Sequence, residues 1–129
     1  MNYYKICNKC IYVDESHIII SKNKLITSNV GTCSILLFSF NNINFMAHID
    51  ALRNTSSQII SRIKKNFNIQ ELKQSKIYII PGAWCSNNCY TKKIIINALK
   101  NLKLDFIIYK KNIKWNNTIS INKNNITIT

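Results

Sequence analysis

Two hydrophobic periods alternate along this chain, and the switches between them mark its elements. Ile11–Val13 and His17–Ile20 are short apolar runs around an Asp14-Glu15-Ser16 turn, and Lys24–Thr27 is a third. Each predicts a short strand. Ser34–Phe40 reads Ser-Ile-Leu-Leu-Phe-Ser-Phe without a charge. That pattern predicts a strand buried on both faces. Asn41-Asn42 is a hairpin turn signal, and Ile43–Ile49 is the expected return strand. The period then becomes helical. Ile59, Ile60, Ile63 and Phe67 share one face, and Thr55 with Gln58 fits a capping box. Lys64 and Lys65 stand where the helix dipole favours cations. Lys76–Ile80 predicts another buried strand, stopped by Pro81-Gly82. A second helix is expected from about Thr91 to Leu102, with Ile94, Ile95, Ala98, Leu99 and Leu102 on its apolar face. Asp105–Tyr109 is a further strand. Thr118–Ile121 and Ile126–Thr129 predict a closing hairpin around Lys123-Asn124-Asn125.

This order predicts an α+β fold: one domain over residues 1–129, a sandwich of mixed, largely antiparallel β-sheet with two main helices. No internal repeat or linker interrupts it. No apolar run approaches the roughly 18 to 20 residues of a membrane span. Met1-Asn2-Tyr3-Tyr4-Lys5 leads into Cys and Asn, unlike a signal peptide. The expectation is a cytoplasmic protein without membrane insertion.

Charge changes this picture little. The formal net charge is +13, from 18 basic and 5 acidic residues. The lysines are spread along the chain, and only Arg53 and Arg62 are arginine, the residue most used for phosphate and base contacts. Nucleic acid is therefore not the expected partner.

The five cysteines add more. Without a secretion signal, disulfides are not expected, and the odd count leaves at least one free thiol. Cys7-Asn8-Lys9-Cys10 and Cys85-Ser86-Asn87-Asn88-Cys89 would make a four-thiolate zinc site if they met in space. Neither pair has the glycine that often follows a zinc knuckle, and no helix signal follows Cys10 to tune a redox pair. No metal is expected. Glycine occurs only at Gly31 and Gly82, so each is expected to answer a backbone need.

The central hairpin carries the candidate chemistry. A two-residue turn at Asn41-Asn42 pairs Phe40 with Ile43, Ile35 with His48, and Cys33 with Asp50. Cys33, Ile35, His48 and Asp50 then point to one face. Cys33 and His48 become diagonal neighbours, with Cβ atoms about 7 Å apart or less. A free thiol has a pKa of about 8.5, and a nearby imidazole can activate it as a nucleophile. The turn at Gly31-Thr32 could aim backbone N–H groups at a developing oxyanion. The competing interpretation is a core cysteine and a core histidine in a basic binding module.

Thr27, the Gly31-Thr32-Cys33 turn, the apolar strand and Met46-Ala47-His48 resemble the bacterial chemoreceptor glutamine deamidases. Ile18-Ile19-Ile20-Ser21-Lys22-Asn23 and Ile79-Ile80-Pro81-Gly82-Ala83 also look like that family. The resemblance implies Cys33 as nucleophile, His48 as general base and Thr27 as the residue that orients the histidine. It implies hydrolysis of a protein glutamine side chain to glutamate with release of ammonia, without a cofactor. A chemoreceptor would be the substrate and a chemotaxis phosphatase a regulatory partner. The chain departs from the family pattern in Thr32 for serine, in Pro81 for glycine, and in Lys114-Trp115-Asn116-Asn117 where the family has a glycine-rich segment. The Thr32-Cys33 strand start, His48-Ile49-Asp50 and the following helix also resemble protein N-terminal asparagine amidohydrolases, which would give Asp50 a substrate α-ammonium to bind. Gly31 and Thr32 are the expected oxyanion residues. Trp84 and Trp115 lie in loops where they could line a substrate cleft, with core or lid packing the expectation for each, and His17 is expected to be a strand-edge residue without a role.

Overall fold

The computed structural model describes residues 9–85 and 88–129. Cys7 lies outside them. Two sheets stack face to face, and two helices cover the outer face of the larger one. The chain runs β1 (Cys10–Tyr12), β2 (Ile18–Ser21), β3 (Lys24–Ser28), β4 (Ser34–Phe40), β5 (Ile43–Ile49), α1 (Ser56–Asn66), α2 (Ile69–Leu72), β6 (Tyr78–Pro81), α3 (Tyr90–Asn101), β7 (Ile107–Ile108), β8 (Thr118–Asn122) and β9 (Asn125–Ile128). The five-stranded sheet has the order β2-β5-β4-β6-β7, the four-stranded sheet β1-β3-β8-β9. The pairs β1–β3 and β6–β7 are parallel and the rest antiparallel. This is the expected α+β sandwich.

The β4–β5 hairpin has the register the sequence predicts: Phe40 faces Ile43 and Ile35 faces His48. Asn41 and Asn42 hold φ of 52° and 63°, the doubly left-handed turn whose twist suits a two-residue hairpin loop. Alternation along β4 then sorts the core. Leu36 and Phe38 meet Ile59, Ile63, Ile95 and Leu99 of the helices. Cys33, Ile35 and Leu37 meet Leu25, Ile119 and Ile121 of the other sheet. Phe38 stacks on Phe45 at 4.6 Å, with Phe67 edge-on. Each such fully buried side chain contributes about 1.5–3 kcal/mol. At the far end of the sandwich, buried Asn44 ties the sheets: its Nδ2 donates to the Asn23 carbonyl and its Oδ1 accepts from Ser39 Oγ and Lys123 N.

Helix α1 carries the expected capping box, with Thr55 accepting from Gln58 N and Gln58 reaching back to the Thr55 amide. β1 joins β3 in one sheet and β2 joins β5 in the other, so the Asp14–Ser16 turn crosses between sheets, a placement the sequence pattern left open. Several expectations are corrected. His17 precedes β2. Only Ile107–Ile108 of the predicted Asp105–Tyr109 strand pairs, at the sheet edge beside β6. The short helix α2 was not signalled, because four residues span barely one helical turn. Lys123 and Asn124 alone turn the last hairpin, both with positive φ.

The expectation of reduced cysteines is also corrected. Cys85 and Cys89, whose Cα atoms are 4.8 Å apart, are joined as a disulfide, a separation within the bonding range. Cys10 is disulfide-bonded too. These three thiolates are thus not available to zinc, and Cys33 is the free thiol among the described residues. No helix among the described residues is long and apolar enough to cross a membrane.

Candidate active site

The site forms where the ends of the two sheets meet, and the backbone is fixed first. The segment before β4 runs beside the loop after β6: Gly82 N donates to the Cys33 carbonyl, Ala83 N to Val30 and Trp84 N to Gly31. A Cβ on Gly82 would collide with the carbonyl oxygens of Gly31 and Cys33. A Cβ on Gly31 would lie 2.6 Å from the Trp84 ring. Neither glycine has a positive φ. The backbone need is close approach, not an unusual dihedral.

Thr91, in the first turn of α3, donates its hydroxyl to the Thr32 carbonyl at 2.9 Å and accepts from Ser34 Oγ at 2.9 Å. In a trans peptide the carbonyl and the next N–H point in opposite directions. Holding the Thr32 carbonyl toward Thr91 therefore directs the Cys33 N–H away from α3. Among the described residues that amide makes no backbone hydrogen bond. A backbone N–H without such a partner is the kind of donor that an oxyanion formed at Cys33 would need. Thr32 contributes its carbonyl to this arrangement, and its side chain is exposed.

Thr27, Cys33 and His48 are all buried, with Thr27 on β3 reaching His48 on β5 across the sandwich. Thr27 Oγ1 lies 2.7 Å from the Val13 carbonyl and 2.8 Å from His48 Nδ1. A carbonyl only accepts, so the single threonine proton goes to Val13. Thr27 must then accept from His48 Nδ1–H. These two contacts fix the tautomer: Nε2 carries the lone pair. Nε2 is buried and has no hydrogen-bond partner among the described residues. Burial lowers the His48 pKa below 6.5, against the opposing charges of Glu15, Asp14 and Asp50, so the imidazole is neutral at pH 7.

The thiol does not bond to His48. Cys33 Sγ–H donates to Glu15 Oε1 at 3.4 Å, from the turn between β1 and β2. Burial, this hydrogen bond and the charges of Glu15 and Asp50 push the Cys33 pKa from 9.0 up to about 12. Both shifts favour the neutral forms, a thiol at Cys33 and an uncharged imidazole at His48. Cys33 Sγ and carboxylate oxygens of Glu15 and Asp50 all lie within 4.8 Å of one another. Asp50 is partly engaged, accepting from Leu52 N at 3.2 Å and lying 3.7 Å from Arg53 Nε.

Glu15, Ser34, Thr91 and the Val13 carbonyl were not anticipated. One signal for Glu15 was present. The chain has five acidic residues against eighteen basic ones, yet Asp14, Glu15 and Asp50 all act on His48. Trp84 and Trp115 stack in parallel at 6.1 Å over the Gly31 turn, both well exposed. Neither belongs to the core. His17 gives its carbonyl to His48 N, a backbone role only.

No family model and no curated protein matches the chain.

Proposed function

We propose that this protein is a cysteine-dependent amidohydrolase acting on side-chain amides, of the chemoreceptor glutamine deamidase type. The observation that carries this is the Val13–Thr27–His48 chain: it commits Nδ1 as a donor and leaves Nε2 as a buried, unpaired base on the face that Cys33 shares. A histidine kept only for packing would leave a buried acceptor unsatisfied at a cost of about 1–3 kcal/mol. A base awaiting a proton has reason to remain unpaired.

The reaction follows from these groups. Cys33 Sγ attacks the amide carbonyl carbon while its proton passes to His48 Nε2. The Cys33 N–H stabilises the oxyanion. The tetrahedral intermediate collapses, the C–N bond breaks, and Nε2 returns the proton to the leaving ammonia. A water then attacks the thioester, giving its proton to Nε2, and the C–S bond breaks to release the carboxylic acid and restore the thiol. Thr27 holds the ring and accepts from Nδ1–H as the imidazolium forms, the part usually taken by a carboxylate. Hydrolysis needs no cofactor. A chemoreceptor substrate, a chemotaxis phosphatase partner and a cytoplasmic location belong to this same reading.

A second substrate is favoured by one observation. The Glu15 and Asp50 carboxylates beside Cys33 would suit the α-ammonium of an N-terminal asparagine. Two peptide sets separate the alternatives: internal glutamines in receptor-like helices, and N-terminal asparagine. Ammonia release with a gain of about one dalton, absent in Cys33→Ala, supports deamidation, and the responding set identifies the substrate class. No release from either set, with Cys33 no more reactive than an ordinary thiol at any pH, would leave a basic binding module.

A further inference from the structure

The Cys33 thiol is hydrogen-bonded to an acceptor that lies outside the proposed triad. Glu15 is exposed on a three-residue turn, and its carboxylate takes the thiol hydrogen at 3.4 Å. Buried His48 Nε2 remains without a partner. We infer that Glu15 parks Cys33 as a resting thiol, and that rotation of the Cys33 side chain from Glu15 toward His48 Nε2 arms the nucleophile when substrate reaches the site. This rests on the amidohydrolase reading, in which Cys33 and His48 act together.

The surrounding groups favour that division of labour. A carboxylate accepts a hydrogen bond from a thiol but repels a thiolate. Asp50 adds the same sign of charge, yet its oxygens already meet Leu52 N–H and Arg53. Asp14 acts on His48 from the same turn as Glu15. Among the described residues Glu15 has no ion pair, so it is the acid free to swing outward. The turn backbone is held, with Ser16 N donating to the His48 carbonyl and Asn54 Nδ2 to the Ser16 carbonyl, so release of the thiol needs only the exposed Glu15 side chain to swing. Glu15 is therefore a positioning residue. It sets when the thiol proton is available to His48, and that proton goes to no other group.

The test is iodoacetamide alkylation of Cys33 as a function of pH, read by mass on the intact full chain. Glu15→Gln is expected to lower the pH midpoint by one unit or more, which is about a tenfold faster reaction at pH 8. Glu15→Asp, shorter but still charged, should fall between Gln and wild type. Adding His48→Gln to Glu15→Gln should raise the midpoint again, since the base that receives the proton is gone. An unchanged midpoint in Glu15→Gln overturns the inference whatever the peptides show. A lowered midpoint that His48→Gln does not reverse overturns the transfer to His48. Alkylation needs no turnover, so a moved midpoint without ammonia release from the wild type counts against the amidohydrolase reading alone.

Discussion

Thr27 and His48 meet across the sandwich at 2.8 Å, each on a different sheet. The contact makes the orientation of the His48 ring a property of sheet packing, because neither strand alone can set it. Removing the threonine oxygen should release it. Thr27→Val is expected to lower kcat by about 10²-fold or more, with a smaller change in KM, while Thr27→Ser retains most activity. The valine variant also leaves the Val13 carbonyl without its donor and His48 Nδ1–H without its acceptor, at a cost of about 1–3 kcal/mol each. Parallel melting and kinetics separate loss of fold from loss of orientation.

In the proposed reaction neutral His48 is the base, and burial holds its pKa below 6.5. The acid limb of kcat/KM should therefore fall below pH 6.5. Stability follows the same sign. The folded-state pKa is depressed, so the unfolded chain takes up the proton first as pH falls. The contribution is present above pH 6.5 and is lost as pH drops through the folded-state value. The difference in melting temperature between wild type and His48→Gln should shrink from pH 7 to pH 5. An acid limb above 6.5 would mean that another group carries the proton.

The hairpin that bears Cys33 and His48 was legible because its information is local. Two asparagines fix the turn, and strict alternation then places Ile35 opposite His48 and sorts β4 between two cores. The helix beginning at Ser56 was legible for the same reason, through Thr55 and Gln58. What the pattern does not encode is which sheet a short strand joins. Cys10–Tyr12 and Ile18–Ser21 both read as strands, but their separation into two sheets depends on partners far along the chain. That separation carries Glu15 to Cys33, so the resting thiol bond was hidden with it. The Thr91 contact to Thr32 likewise joins residues 59 apart. Thr27 entered through family resemblance, and its hydrogen bonds supply the physical reason it could act there.

The two glycines should respond differently to a methyl group. Gly82→Ala drives a Cβ into the backbone oxygens of Gly31 and Cys33, which cannot yield without moving the nucleophile. A loss of about 1–3 kcal/mol and a marked fall in activity are expected. Gly31→Ala meets the side chain of Trp84, which is 65% exposed and free to swing. Its stability cost should be smaller, and Trp84→Ala in the same chain should relieve it. Equal costs in chemical denaturation would place the constraint elsewhere.

The Cys85–Cys89 disulfide precedes α3, whose N-cap is Cys89 without a side-chain capping bond. The loop is short, with a sequence separation of 4, so chain entropy limits its stabilisation to about 2 kcal/mol. Its larger effect should be on position. Thr91 lies two residues into the chain after Cys89 and holds the Thr32 carbonyl, which sets the direction of the Cys33 N–H. Loosening the start of α3 should therefore weaken oxyanion stabilisation more than the fold. Cys85→Ala with Cys89→Ala is expected to lower melting only modestly while reducing kcat by about tenfold, a fraction of what a complete oxyanion donor contributes. Serine is the wrong replacement at position 89, because it would add an N-cap and mask the loss. Thr91→Val with the disulfide intact should lower kcat in the same way. If Thr91→Val leaves kcat unchanged, the disulfide serves the fold and the Cys33 amide is oriented by the Gly82 contact alone.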